Sequence, residues 1–71
     1  MKKSKRNANP MKACRIAAGM LQQEVAEAVG VDRSAVAHWE SGKAMPRAEK
    51  LITLARLYGC SVEQLLGGES A

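Results

Sequence analysis

Phenylalanine is missing from this 71-residue chain, whose only aromatic residues are Trp39 and Tyr58. Proline is confined to Pro10 and Pro46, both where a helix can begin, and Ala and Leu are abundant, so the composition favours an all-α domain. No apolar run approaches the roughly 18 residues that cross a bilayer, and the basic start "MKKSKR" leads into "NANP" rather than an apolar signal core. The expected location is therefore the cytoplasm, with no membrane partner. Cysteine is limited to Cys14 and Cys60, far apart and without a C-x-x-C, and there is one histidine, so no metal-ligand set forms. The two thiols read as reduced, small apolar core residues. Nucleophile-elbow, P-loop and H-E-x-x-H patterns are all absent. With at most one domain and a marginal core at this length, no catalytic residue, no cofactor and no deep enzyme cleft are expected.

Acidic residues are absent from the first ten positions, where Lys2, Lys3, Lys5 and Arg6 supply four positive charges. From Met11 onward seven basic and seven acidic residues balance, although the whole chain carries a formal +4. Residues 1–8 thus read as a basic arm, too polar to fold alone, that suits a polyanion or simple solubility. The folded domain is expected over 9–67, with a short flexible tail at 68–71.

Helical signals follow one another along that domain. Asn9 and Pro10 suit an N-cap and first helical position, and Met11, Cys14 and Ala18 recur at helical spacing until Gly19. A second helix spans about 22–29, burying Val25, Ala26 and Val29, and ends at Gly30. Asp32 is a natural N-cap for a third, to about residue 40, with Val36 and Trp39 inward. After the polar loop "SGKAMP", a fourth from about 47 to 58 carries the stripe Leu51, Leu54, Ala55, Tyr58 and closes at Gly59. Ser61 and Gln64 form a capping box for a short fifth helix with Val62 and Leu65.

The second and third helices are separated only by "GVDR". Two helices meeting steeply across so short a turn need a glycine where the backbone reverses and small residues where the axes approach, which Gly30 and Ala26 supply. That is the spacing of a helix-turn-helix. Residues 11–66 then resemble the Cro and repressor type of helix-turn-helix protein, the xenobiotic-response-element-like (XRE) family. The motifs are "R-x-x-x-G-x-x-Q-x-x-V-A" from Arg15, "G-V-D-R-S-A-V-A-H-W-E-S-G-K" from Gly30, "M-P-R" from Met45 and "L-x-x-L-A-x-x-Y-G-C-S-V-E-Q-L" from Leu51. The resemblance implies a compact five-helix domain of the lambda-repressor-like type that binds double-stranded DNA as a homodimer on a palindromic operator. The sequence departs from the family at Leu21, where Ser, Thr or Asn usually caps the second helix. An apolar cap forfeits on the order of 1 kcal/mol, so this helix start is expected to be loose.

A helix in the major groove presents its first turns to base edges, which selects Arg33, Ser34, Ala37 and His38 on the face opposite Val36 and Trp39. Arg33 can pair bidentately with guanine, Ser34 can serve a base or a phosphate, Ala37 can touch a thymine methyl, and His38 can donate or accept. Gln22 and Gln23 open the second helix, whose free N–H groups suit a phosphate. Ser41, Gly42, Lys43 and Arg47 resemble the family's second backbone clamp. Arg15 and Glu40 occupy positions that hold an Arg–Glu ion pair in many relatives. The function expected is a small sequence-specific transcriptional repressor governed by its own concentration, with no small-molecule effector. A rival reading is an antitoxin or other helical module that masks a protein partner, which salt-insensitive binding to that protein would reveal. Leu66, just past the core-facing Leu65, suits a dimer face.

The neutral body leaves much of the electrostatic attraction to the arm. Deleting residues 1–8 is expected to flatten the slope of log affinity against log salt by roughly 3 to 4 units, at about 0.9 per phosphate, while base preference survives. An unchanged slope in binding titrations would reduce the arm to a solubilising tail.

Overall fold

The computed structural model describes residues 9–67, so the basic arm at 1–8 and the tail at 68–71 lie outside the described residues. Five helices form in the expected order: α1 (Pro10–Ala17), α2 (Gln22–Val29), α3 (Arg33–Ser41), α4 (Ala48–Tyr58) and α5 (Val62–Leu65). No strand occurs among the described residues. α2 and α3 pack most extensively on each other; α1 closes over α3, α4 and α5, and α4 joins α2 to α5.

Local chemistry explains most of the boundaries. The Asn9 carboxamide oxygen accepts from the N–H groups of Met11 at 2.8 Å and Lys12 at 3.3 Å, opening α1 as a side-chain cap should. Ser61 and Gln64 complete a reciprocal box at α5, the Ser61 hydroxyl accepting from Gln64 N–H at 3.0 Å and the Gln64 carboxamide oxygen from Ser61 N–H at 2.9 Å. Gly30 adopts φ 77°, and its N–H and that of Val31 both reach the Ala26 carbonyl at 2.9 Å. A Cβ there would touch nothing within 4 Å, so the left-handed backbone, rather than lack of room, is what calls for glycine.

At three places the local detail differs from what the residue types suggest. Asp32 stands at the N-cap of α3, but its side chain makes no cap hydrogen bond; only its carbonyl takes part, accepting from Ala35 N–H at 3.0 Å. Arg47 is itself the N-cap of α4, which begins one residue later, after the buried Pro46. Ala18 is exposed, and α1 instead turns Met11 and Arg15 into the interior with Cys14 half-buried. The apolar cap at Leu21 is partly compensated, because the Glu24 carboxylate accepts from Leu21 N–H at 2.8 Å and supplies one arm of a capping box.

Val25, Ala26 and Val29 of α2 meet Val36 and Trp39 of α3 in a core that Leu51, Leu54 and Ala55 of α4 and Leu65 of α5 complete. Cys14 and Cys60 are free and half-buried against this core. Burial first, and then the neighbouring Cys14 thiol, push the Cys60 thiol up to about 11, which keeps it protonated and unreactive. The Lys50 ammonium of α4 donates at 2.9 Å to the carbonyl of Val29, the last residue of α2. A cation there meets both an unpaired carbonyl and the negative end of the helix. Lys50→Met keeps the aliphatic stem and removes the donor; it should cost about 1 kcal/mol, lowering the melting temperature by roughly 4–8 °C in a domain this small. Thermal circular dichroism checks this, and an unchanged melting temperature would assign the contact no energetic role.

Candidate nucleic-acid interface

α3 is buried along one side by Val36, Trp39 and Glu40 and open along the other. At about 100° per residue, Arg33, Ser34, Ala37 and His38 fall on a single stripe facing away from the core. Arg33, Ser34 and His38 are exposed and Ala37 is half-buried, so α3 offers a guanidinium, a hydroxyl, a methyl and an imidazole side by side.

Beneath this stripe lies a buried charge pair. The Arg15 guanidinium of α1 donates from Nε to Glu40 Oε2 at 2.6 Å and from Nη2 to Oε1 at 3.1 Å. Its third arm, Nη1, donates to the Met20 carbonyl at 2.9 Å, tying the α1–α2 connection to the same cation. The side chains are only 11% and 5% exposed, and no buried side-chain polar atom among the described residues lacks a partner. The Glu40 bond, outweighing burial, raises the guanidinium still further above its ordinary range. Half-buried Tyr58 adjoins the pair: burial, and then the charge of Glu40, push its phenol up to about 12, with Arg15 pulling the other way.

Gln22 connects the pair to the surface. Its Nε2 donates to Glu40 Oε1 at 3.0 Å, and its Oε1 accepts from Arg33 Nη1 at 3.2 Å. A hydrogen-bonded run thus extends from α1 through the end of α3 and the start of α2 to the first residue of α3. Sequence reasoning paired Arg15 with Glu40 and named Gln22 and Arg33 separately, but missed that Gln22 joins the pair to Arg33. The packing of α3 across α2 lets the Arg33 side chain reach Gln22, and no residue spacing announces it. Tyr58, read as one member of a core stripe, was equally silent.

The flanking positions have different surroundings. Gln23 is exposed and donates along α2 to Glu27 Oε2 at 3.0 Å. With an apolar cap at Leu21, no side chain takes up the N–H groups of the first turn of α2. After α3, Gly42 at φ 86° turns the chain so that the N–H groups of Lys43 at 2.9 Å and Ala44 at 3.2 Å, and the Ser41 hydroxyl at 3.2 Å, converge on the His38 carbonyl. Those loop amides are occupied, which leaves the exposed side chains of Lys43 and Arg47 as the outward groups on this side. The described residues contain no cluster of His, Cys, Asp or Glu that could hold a metal, and no described helix is long and apolar enough to cross a membrane.

A helix-turn-helix family model matches residues 11–65. The HTH-type transcriptional activator BcrR of Enterococcus faecalis is 36% identical over 50 residues, covering 70% of this chain and 24% of that protein. The SPbeta prophage-derived HTH-type transcriptional regulator YonR of Bacillus subtilis is 36% identical over 61 residues, covering 86% of this chain and 56% of that protein. The chain therefore spans from a quarter to just over half of the length of these relatives. The crystal structure of a transcriptional regulator from Listeria innocua superposes with a TM-score of 0.76 at 29% identity, over 92% of this chain and 61% of that one.

Removing one member of a buried ion pair strands the other. Arg15→Met or Glu40→Leu should each cost about 3–5 kcal/mol, whereas the double substitution should recover much of that loss. In thermal melts each single variant is expected to lose more than about 12 °C. Unchanged melting of both single variants would show that the pair contributes nothing to the fold.

Proposed function

This chain belongs to the helix-turn-helix family, and from that membership we propose that it is a sequence-specific transcriptional regulator that inserts α3 into the major groove of duplex DNA. The observation that carries this is the outward stripe of Arg33, Ser34, Ala37 and His38 on a helix whose opposite side is locked into the core. Its relatives are named as transcriptional regulators, and the chemistry of the stripe matches base edges: a guanidinium fork for guanine O6 and N7, a methyl for thymine, and hydroxyl and imidazole groups for either partner.

Phosphates then fix the register. The uncapped first turn of α2 offers N–H groups and the positive end of a helix, with Gln22 and Gln23 beside it. Lys43 and Arg47 form the second clamp, from side chains rather than from the loop amides, while the Ser41 hydroxyl is spent on the His38 carbonyl. A helix of this size touches only a few base pairs, and pairing two copies about 34 Å apart, one DNA turn, doubles the site and makes it palindromic. The surface proposed for a second copy is the apolar side of the open groove of about 460 Å³, formed by Pro10, Met11, Trp39, Met45, Leu65 and Leu66, with Lys43 on its rim turned to the DNA. Met45 and Leu66 stand 62% and 50% exposed there, a cost that pairing relieves. Repression requires only occupancy of a site that polymerase also needs. Activation, the role in the name of the Enterococcus relative, requires in addition a favourable contact with the transcription machinery.

Selection of duplexes from a random pool, followed by binding titrations, tests this reading. The expected result is a palindromic site occupied by two chains, on which Arg33→Ala loses about 1–3 kcal/mol and relaxes one base position in each half-site. Equal weakening on every sequence would make Arg33 a phosphate contact, and a protein target bound without salt dependence would favour the masking role instead.

A further inference from the structure

Two thiols that are far apart in the chain meet in the fold. Cys14 lies within α1 and Cys60 in the turn between α4 and α5, and α1 packs on both of those helices. Both side chains are free and half-buried against the core. They are neighbours: the Cys14 thiol acts directly on that of Cys60, and the half-buried Tyr58 phenol, pushed up chiefly by its own burial, has both sulfurs around it. Their backbones are held in place. The Cys14 carbonyl accepts from Ala18 N–H at 3.0 Å, and Cys60 follows Gly59 at φ 73° with its own N–H on the Ala55 carbonyl at 2.9 Å. Reaction between two sulfurs on such supports is intramolecular from the outset, at a high effective concentration.

We propose that Cys14 and Cys60 are a modification site at which a hydroperoxide forms a reversible disulfide, stapling α1 to the α4–α5 turn. Cys14 reacts first: its sulfur takes one oxygen of the peroxide as the O–O bond breaks, water or an alcohol leaves, and a sulfenic acid remains. Cys60 then closes on that sulfur. The S–S bond forms as the S–O bond breaks, and the thiol proton departs with the hydroxyl as water. Two thiols have lost two electrons and the peroxide has gained them. The order follows from the surroundings, since burial, and then Cys14, hold the Cys60 thiol up at about 11, which makes it a poor first nucleophile towards a reagent in solution. Closing on a sulfur already beside it asks only for proximity. This chain has no other cysteine to compete. The bond closes a long loop, which restricts the unfolded chain, and it fixes α1 at the residue next to Arg15, the cation of the buried pair. Neither sulfur belongs to the outward stripe of α3, so the oxidised form is a hardened version of the same surface. A thiol reductant returns it to the starting state.

The test treats the folded full-length chain with hydrogen peroxide and follows intact mass, peptide mapping without reductant, and thermal melting. The expected result is a loss of two hydrogens, a Cys14–Cys60 cross-link within a single chain, and a melting temperature raised by more than about 10 °C that dithiothreitol restores. Cys60→Ser should stop at the sulfenic acid, trapped by dimedone on Cys14, and Cys14→Ser should give no adduct. Because the wild-type chain is compared with itself before and after reduction, a variant that folds poorly does not decide the outcome. Cross-links only between chains, or sulfinic and sulfonic acids with no internal bond, would overturn the pairing. A disulfide that forms but leaves melting unchanged or lowered would overturn the staple. Dimedone labelling of Cys60 in Cys14→Ser, with none on Cys14 in Cys60→Ser, would reverse the order and overturn the proposal as stated.

Discussion

The bidentate pair between Arg15 and Glu40 is the constraint around which the rest of the molecule is arranged. Taking two charges out of water costs several kcal/mol per ion, and the cost is offset only when geometry is good and the remaining donors and acceptors are used. Here they are: the guanidinium reaches both carboxylate oxygens and the Met20 carbonyl, and the carboxylate also accepts from Gln22. Because those groups come from α1, the α1–α2 connection, the start of α2 and the end of α3, satisfying one carboxylate fixes the relative placement of three helices.

The same network explains how a small core supports a chemically demanding surface. α3 spends one side on Val36 and Trp39 and the inner end of another turn on Glu40, leaving its outward stripe free of any structural duty except the single bond from Arg33 to Gln22. Lys50 reinforces the arrangement from α4, closing the end of α2 just before the Gly30 reversal. Balance between positive and negative residues from Met11 onward means that the domain does not attract a polyanion by bulk charge. On the proposed reading recognition comes from where individual cations sit, and the buried pair reaches one of them, Arg33, through Gln22.

Features governed by short-range chemistry were legible in the residues themselves. Asn9 with Pro10, Ser61 with Gln64, and Gly30 before Asp32 each act within a few residues of their own position, and the structure uses them at those positions. The α4 stripe was readable for the same reason, since helical spacing alone decides which residues share a face. Asp32 shows the limit: it is a cap by position, but a favourable residue type at the cap does not oblige its side chain to bond. Leu21 shows it from the other direction, because its unfavourable type is partly compensated by Glu24, three residues on. The relay through Gln22 was not legible at all. It depends on side-chain positions eleven and eighteen residues apart, brought together by the angle between α2 and α3, which follows from packing rather than from any local pattern.

On the proposed function, the outward stripe of α3, held from beneath by Glu40 and Gln22, is the surface that meets DNA. Nuclear magnetic resonance of the isotope-labelled chain, titrated with its selected duplex, tests this residue by residue. The expected result is that the largest shift changes fall on Arg33, Ser34, Ala37 and His38 and on the Gln22 side-chain amide, with Thr53 and Arg56 on the outer face of α4 unmoved. Changes centred on α4, with residues 33–38 undisturbed, would contradict it.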